Sequence, residues 1–452
     1  MARAAAPRNL SDFKSETIRG AAGFIRVGQT RAGQWWLLDA RDRPLFSKGV
    51  NAVSQTGRAG GRAGQSGPDS AAVGRVHGAG DPAVFVKSVL DRLRGWQVNT
   101  LAAWTAVEFY HRGMDYIVTL EFRRLVPETT IKLGGAMLPD VFDPKWIEAC
   151  AVRAAEICLE HRERAELVGY FTDHELGWAQ PGAEGLFAQV KPEPVAGPRR
   201  ERPSLLQVCL SLEPSFPAYH AAWEFALAAQ AGDLAALAQA WGVPLPNKEA
   251  LRQLTQADTP LRNEGYLRDN ERFSREFARR YFSTCAAAIR RCDPHHLVLG
   301  CRFGGPPGAA VVAECVYPQV DVLSANDFHD TLDQRLDGYW RASAMPILIG
   351  DFSWAGEYFT QRPPTGEPRG RTTVERMLAK GRIALEQAVV HPAVVGYAWH
   401  RWADRPDDGP PFGQGLVHID GREAREHTEL LSDINARAES LRRAAALPAP
   451  AL

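Results

Sequence analysis

The chain has 452 residues, and its 53 basic and 53 acidic side chains balance to a formal net charge of zero. This balance gives no sign of a nucleic-acid partner, and no apolar run of about 18 residues is present to span a membrane. The N-terminus lacks the apolar core of a signal peptide, and the seven cysteines form no CxxC pair. We therefore expect a cytoplasmic globular protein without a metal or other cofactor, of unknown oligomeric state.

The first 43 residues predict an N-terminal extension that ends in a β-hairpin. Its two strand-like stretches, GFIRVG and QWWLLDA, are separated by the turn-like residues 30–33. Residues 44–443 alternate short apolar strands with amphipathic helices, which is the pattern of an α/β protein with a (β/α)8 TIM barrel. The last residues, 444–452, predict a frayed tail.

The eight barrel strands are predicted at 45–53, 98–104, 130–137, 167–171, 296–303, 321–326, 347–352 and 394–402. The connection after the first strand, 54–82, is rich in glycine and fits a substrate-contacting flap and a mobile insertion equally well. The connection after the fourth strand is much longer. We expect a helical insertion over residues 179–268.

Carboxylates follow two of the buried strands. The run LVGYF ends in Asp173, His174 and Glu175, and the run ILIG ends in Asp351. The C-terminal ends of barrel strands form the active-site face, and two carboxylates held there can cleave a glycosidic bond. We predict Glu175 as the proton donor and Asp351 as the second carboxylate, with Glu357 as a substitute. The alternative is structural: a loop salt bridge for the first and a helix N-cap for the second.

Polar and aromatic residues near the same strand ends are candidates to bind sugar hydroxyls and to stack on pyranose rings. These candidates are Asn51, Trp104, Asp173, His174, Trp178, Arg302, Asn326, His329, Trp354, Trp399 and His400. Any one of the histidines or tryptophans fits a packing role, but several tryptophans near three strand ends favour a carbohydrate as the binding partner.

Four segments resemble agarase-like glycoside hydrolases. GFIRVGQTRAGQWWLLDARDRPLFSKGVNAV is similar to the N-terminal signature of that family, and GYFTDHELGW is similar to the segment that carries its acid/base. PILIGDFSW and YAWHRWAD resemble its seventh and eighth strand segments. The resemblance implies a (β/α)8 barrel in which Glu175 is the general acid/base. It also implies retaining hydrolysis, with Asp351 in the nucleophile position.

Two residues depart from the family pattern. His174 stands where the family has an asparagine that holds the sugar 2-hydroxyl, and Asp351 stands where it has a glutamate. Aspartate is one methylene shorter, which withdraws the carboxylate by about 1 Å, and a displacement of that size can cost about 10²-fold in rate. A compensating backbone, an inverting mechanism and a site without catalysis all stay open.

Two other functions fit the same residues. One is a metal-dependent hydrolase that would use Asp173, His174, Asp327, His329 and Asp351, although the first strand offers no His-x-His pair. The other is a carbohydrate-binding pseudoenzyme. Because agarose is an extracellular polymer and no export signal is seen, a smaller oligosaccharide or glycoside is the expected substrate.

Overall fold

The structure, a computed structural model, describes residues 7, 9–54, 82–133, 136–178, 186, 202–328, 332–354, 371–404, 413–418 and 420–445. The strands are β1 (Arg26–Gln29), β2 (Trp35–Leu38), β3 (Pro44–Leu45), β4 (Ser47–Val50), β5 (Thr100–Leu101), β6 (Asp115–Thr119), β7 (Ile131–Leu133), β8 (Ala136–Leu138), β9 (Leu167–Phe171), β10 (Leu297–Val298), β11 (Leu323–Asn326), β12 (Ile347–Phe352), β13 (Val394–Trp399), β14 (Arg401–Ala403) and β15 (Gly415–Val417).

The α-helices are α1 (Pro82–Gly95), α2 (Pro144–His161), α3 (Leu205–Leu210), α4 (Pro217–Ala228), α5 (Leu234–Trp241), α6 (Lys248–Gln256), α7 (Glu264–Cys292), α8 (Ala309–Glu314), α9 (Leu332–Ser343), α10 (Arg371–Val390) and α11 (Arg425–Ala444). No helix in these described ranges is long and apolar enough to cross a membrane.

Eight of the strands form a curled parallel sheet of the TIM-barrel type. Their order along the sheet is β10-β9-β6-β5-β4-β13-β12-β11. Spatial neighbours are successive sheet strands in the chain, except that the first, β4, pairs with the last, β13. A parallel bridge between Phe303, just after β10, and Ala325 in β11 brings the two ends of the sheet together. Short parallel strands connected in this order carry their C-terminal ends to one face of the molecule.

The third strand of the sheet lies earlier in the chain than the sequence pattern predicted. β6 occupies this place, whereas β7 and β8 pair with each other antiparallel as a separate hairpin. The apolar part of β6 is only three residues, Tyr116 to Val118, and only a 3-10 turn, with no α-helix, separates it from β5. The prediction of a barrel strand at 130–137 was therefore wrong, because it relied on helix–strand alternation.

Two other regions frame the sheet. β1, β2 and β3 pair antiparallel before the chain enters β4. Between β9 and β10 the chain forms α3 to α6 and then α7, which packs against α2 and returns the chain to the sheet. Of the predicted insertion 179–268, residue 186 and residues 202–268 are described, and the latter range is mostly helical. The predicted flap, apart from its two end residues, and the predicted tail beyond residue 445 lie outside the described residues.

A glycine in β9 sets the approach of β10. A Cβ atom at Gly169 would stand 2.1 Å from the carbonyl oxygen of Leu297, so no larger residue fits between the two strands. This close pairing aligns the end of β9 with the end of β10, where the candidate catalytic residues follow.

Candidate active site

Five successive strands of the sheet are followed by a non-glycine residue with a left-handed backbone. Ala52 follows β4, Trp104 follows β5, Glu121 follows β6, Glu175 follows β9 and Arg302 follows β10, with φ between 49° and 59°. This region costs a non-glycine residue on the order of 1 kcal/mol. Strained residues of this kind cluster at functional sites, and here they mark the C-terminal end of the sheet.

Asp351 lies near the end of β12 and is almost fully buried. Asn51 Nδ2 donates to its Oδ1 over 3.2 Å, His400 Nδ1 lies 2.9 Å from the same oxygen, and Arg302 Nη2 lies 3.2 Å from Oδ2. Burial opposes ionisation, but His400 and Arg302 outweigh it and hold the pKa of Asp351 below its ordinary value. The carboxylate is therefore ionised at neutral pH.

Glu175 differs from Asp351 because its side chain is 40% exposed. Its Oε1 accepts a hydrogen bond from Asn326 Nδ2 over 2.9 Å, and its backbone N–H donates to the carbonyl oxygen of Arg302 over 3.2 Å. A Cβ at Gly304 would stand 2.4 Å from Glu175 Cγ, so this glycine makes room for the side chain. A carboxyl group with this exposure can exchange a proton with a bound molecule.

His174 is neutral in this environment. Burial, with a further contribution from Arg302, lowers the pKa of His174 to about 3. Its Nδ1 lies 3.3 Å from Asn326 Nδ2, and its Nε2 lies 3.7 Å from Glu175 Oε2. Because the asparagine amide donates, Nδ1 accepts and the proton resides on Nε2, which faces the Glu175 carboxyl group.

Arg302 is fully buried at the centre of the site. Its guanidinium group lies 4.4 Å from the ring centroid of Trp104 and 5.2 Å from that of Phe171. Nη2 donates to the carbonyl oxygen of Gly350 over 2.9 Å. Trp104 itself is partly exposed, so it is the one predicted sugar-stacking tryptophan that the described structure leaves with an accessible surface.

Comparison with known proteins places this site in context. Beta-agarases A and B from Vibrio sp. (strain JT0107) are 26% and 22% identical to the chain over 349 residues. The matches cover 72% and 74% of this chain but 33% and 34% of the relatives, so the chain spans about a third of their length. This chain is similar to beta-agarases. The predicted resemblance to agarase-like glycoside hydrolases, which cleave O-glycosidic bonds, is therefore confirmed.

The fold of the chain is shared with a solved structure. An exo-beta-agarase superposes on it with a TM-score of 0.71 at 17% sequence identity, covering 97% of this chain and 69% of that chain. No family model matches the sequence. At this identity the superposition establishes the fold alone.

Three of the predicted sugar-stacking tryptophans are core residues. Trp354 Nε1 donates to His427 Nδ1 over 3.1 Å, and Trp399 Nε1 donates to the carbonyl oxygen of Gln414 over 2.8 Å. Trp178 packs among aromatic side chains of α7. All three rings are nearly inaccessible to solvent, so the structure contradicts their predicted role as open sugar platforms. A strand-end aromatic residue satisfies core packing equally well, and the sequence does not separate the two roles.

Asp173 also has a structural environment. The backbone N–H of Arg123 donates to Oδ1 over 2.9 Å, and the hydroxyl of Tyr281 donates to Oδ2 over 2.6 Å. Burial raises the pKa of Asp173 to about 7, although these two hydrogen bonds oppose the shift. Both oxygens of this fully buried carboxyl group are occupied, so it does not serve as the predicted sugar ligand.

Two residues of the site that follow β6, Glu121 and Arg123, were not predicted from the sequence. Trp104 Nε1 donates to Glu121 Oε1 over 3.0 Å, and the guanidinium of Arg123 donates to the carbonyl oxygen of His174. They were missed because β6 itself was missed. The signal was present in the apolar run that ends at Glu121.

Asn326 and His400, two more of the predicted residues, contact Glu175 and Asp351 respectively. Asn51 and Arg302 contact Asp351, but both are inaccessible to solvent, so they do not serve as the predicted sugar ligands. His329 and Glu357 lie outside the described residues. Within the described parts of the chain, no group of three or more histidine, cysteine, aspartate or glutamate side chains could hold a metal ion.

Proposed function

We propose that the agarase-like chain hydrolyses an O-glycosidic bond of a galactose-containing oligosaccharide or glycoside. The observation that supports this best is the contrast between its two carboxyl groups. Asp351 is buried and held ionised, with the Arg302 guanidinium against it. Glu175 is partly exposed and is bonded to Asn326 and to the main chain of the same arginine. Glycosidic cleavage needs one ionised carboxylate and one proton donor. Asp351 meets the first requirement, and the exposure of the Glu175 side chain lets it reach a bound sugar.

The proposed reaction retains configuration in two steps. Glu175 donates its proton to the leaving glycosidic oxygen while Asp351 attacks the anomeric carbon, and a glycosyl ester forms. Glu175 then takes a proton from water, whose oxygen attacks the anomeric carbon and releases the Asp351 carboxylate. The scaffold that we propose for these steps is one closed (β/α)8 barrel with an N-terminal hairpin and a helical insertion after its fourth strand.

The test is turnover of aryl galactosides and agarose-derived oligosaccharides by the wild type and by Glu175→Gln and Asp351→Asn. We expect both variants to lose turnover while remaining folded, and proton NMR of the first-formed product to show retained configuration. Asp115→Asn is the control, since this half-buried carboxyl group lies at the start of β6, away from the C-terminal ends of the strands. Undiminished turnover by Asp351→Asn would exclude it as nucleophile and make Glu357 the next candidate.

A second candidate is sugar binding without hydrolysis. It is favoured by the environment of Asp351, whose two oxygens are engaged by Asn51, His400 and Arg302 and whose side chain is 3% exposed. Calorimetry with the same oligosaccharides separates the two candidates, because saturable binding without product formation marks a binding protein.

A further inference from the structure

We infer that Arg302 is a positioning residue that fixes the distance between the carboxyl groups of Glu175 and Asp351. This inference rests on the proposed function. Its carbonyl oxygen accepts the hydrogen bond from the Glu175 N–H over 3.2 Å. Its guanidinium Nη2 lies 3.2 Å from Asp351 Oδ2. One residue thus binds the proton donor through its main chain and the second carboxylate through its side chain.

Both attachments are held rigidly. The backbone of Arg302 is left-handed with φ of 51°, that of Glu175 is left-handed with φ of 49°, and the N–H of Arg302 donates to Ser324 Oγ over 2.9 Å. The guanidinium group lies over the rings of Trp104 and Phe171 and is inaccessible to solvent. A side chain enclosed in this way cannot change rotamer without displacing its neighbours.

Gly350 provides the space for this guanidinium group. A Cβ at this position would stand 3.0 Å from Arg302 Nε, 3.1 Å from Arg302 Cγ and 3.0 Å from Asn326 Oδ1. Gly350 directly precedes Asp351, and Arg302 Nη2 donates to its carbonyl oxygen over 2.9 Å. The arginine therefore binds the backbone and the carboxylate at the end of β12 together.

The hydrogen bonding of Arg302 indicates that its location serves the site. Nε and Nη1 have no hydrogen-bond partner among the described residues, which is unfavourable for buried donors. Burial lowers the pKa of the guanidinium group, whereas the charges of Asp351 and then Glu175 oppose that shift. The arginine cation thus interacts with both carboxyl groups, not with Asp351 alone.

This arrangement predicts an effect on turnover rather than on substrate binding. Without the guanidinium group, Asp351 loses one of its donors, and the separation of the carboxyl groups is no longer set by a shared residue. A misplacement of about 1 Å lowers the rate of the chemical step by about 10²-fold. KM should stay within about threefold, because Arg302 is inaccessible to solvent and so cannot contact the sugar.

The experiment compares Arg302→Lys and Gly350→Ala with the control Gly49→Ala, using a substrate that the wild type cleaves. A Cβ at Gly49 in β4 would stand 3.2 Å from Ala102 Cβ and from the Tyr397 carbonyl oxygen, so this control introduces similar crowding elsewhere in the sheet. We expect kcat to fall about 10²-fold in the two test variants and less than about threefold in the control. Crystal structures of all three variants measure the distance between the carboxyl carbons of Glu175 and Asp351.

An unchanged kcat in Arg302→Lys, or an unchanged carboxyl separation in both test variants, would overturn the inference. Should Arg302→Lys not fold, Gly350→Ala decides alone, because it retains every polar group of the site and only displaces the guanidinium. A wild type without any turnover refutes the proposed function instead, and the crystallographic separation then still tests Arg302.

Discussion

Two histidine–aspartate pairs lie at opposite ends of the sheet, and they differ in how completely they are bonded. At the start of β10, His296 Nδ1 lies 2.7 Å from Asp293 Oδ2, and its Nε2 lies 2.8 Å from the carbonyl oxygen of Arg164. Both side chains of this pair are fully buried. At the C-terminal ends of β12 and β13, His400 Nδ1 lies 2.9 Å from Asp351 Oδ1, but the histidine is 25% exposed.

The difference shows how one chemical pair serves two purposes. Asp293 also accepts a hydrogen bond from the hydroxyl of Tyr170 over 2.6 Å, so the first pair is closed within the protein. In the second pair, His400 Nε2 has no hydrogen-bond partner among the residues that the structure describes. A closed pair stabilises the fold, whereas a pair with an exposed member remains available to act on a ligand.

The largest expected effect separates the two aspartates. Asp351→Asn should lower kcat at least about 10³-fold, because the ionised carboxylate is lost. Asp293→Asn should leave kcat nearly unchanged and lower the free energy of unfolding by about 2 kcal/mol, because a buried hydrogen-bonded group is weakened. Initial rates and urea denaturation measure the two quantities. Comparable loss of kcat in both variants would remove the distinction between the pairs.

Lengthening Asp351 tests how closely its surroundings fit aspartate. In Asp351→Glu the extra methylene displaces the carboxylate from Asn51, His400 and Arg302. We therefore expect kcat to fall by up to about 10²-fold, although the family that the sequence resembles has glutamate here. Steady-state kinetics checks this, with Asp293→Glu as the matched extension in the closed pair. A kcat above that of the wild type would show that these donors are arranged for the longer side chain.

Removing each histidine sharpens the comparison through pH. His400 lowers the pKa of Asp351, so His400→Gln should raise that pKa and move the acid limb of the kcat profile to higher pH. We expect kcat at its optimum to fall about tenfold. His296→Gln should leave the acid limb in place and only reduce stability. A limb that does not move in His400→Gln would show that Asp351 does not control it.

The smallest effect concerns a third pair. His418 Nδ1 lies 3.0 Å from Asp404 Oδ2, and this hydrogen bond, together with Glu426, raises the pKa of His418. Its stabilising contribution is therefore complete below the unfolded pKa of about 6.5 and is lost as pH rises through the folded value. Because His418 is partly exposed, we expect Tm to fall by only about 1 °C between about pH 6 and pH 8 from this group. Calorimetry of His418→Gln should show that increment missing, and an identical pH dependence of Tm would refute it.

Parts of the fold were predictable from local pattern. β9 and β12 lie where the sequence predicted them, because each is an apolar run that ends abruptly in polar residues. The signal for β6 was weaker, since its apolar run is short and no α-helix separates it from β5. The third barrel strand was predicted at 130–137 instead, in the antiparallel hairpin of β7 and β8, because these residues also favour extended structure.

The sequence by itself determined the strands that end in Glu175 and Asp351 and the similarity to beta-agarases, because these are local properties of consecutive residues. Only the tertiary structure decided which of the candidate side chains contact these two carboxyl groups. Asn51 and Asp351 are 300 positions apart in the chain yet hydrogen-bonded, and His400 is 49 positions from Asp351. Burial and charge at a residue are set by such distant neighbours, so the ionisation of Asp351 and the enclosure of Trp178, Trp354 and Trp399 in the core cannot be read from local sequence.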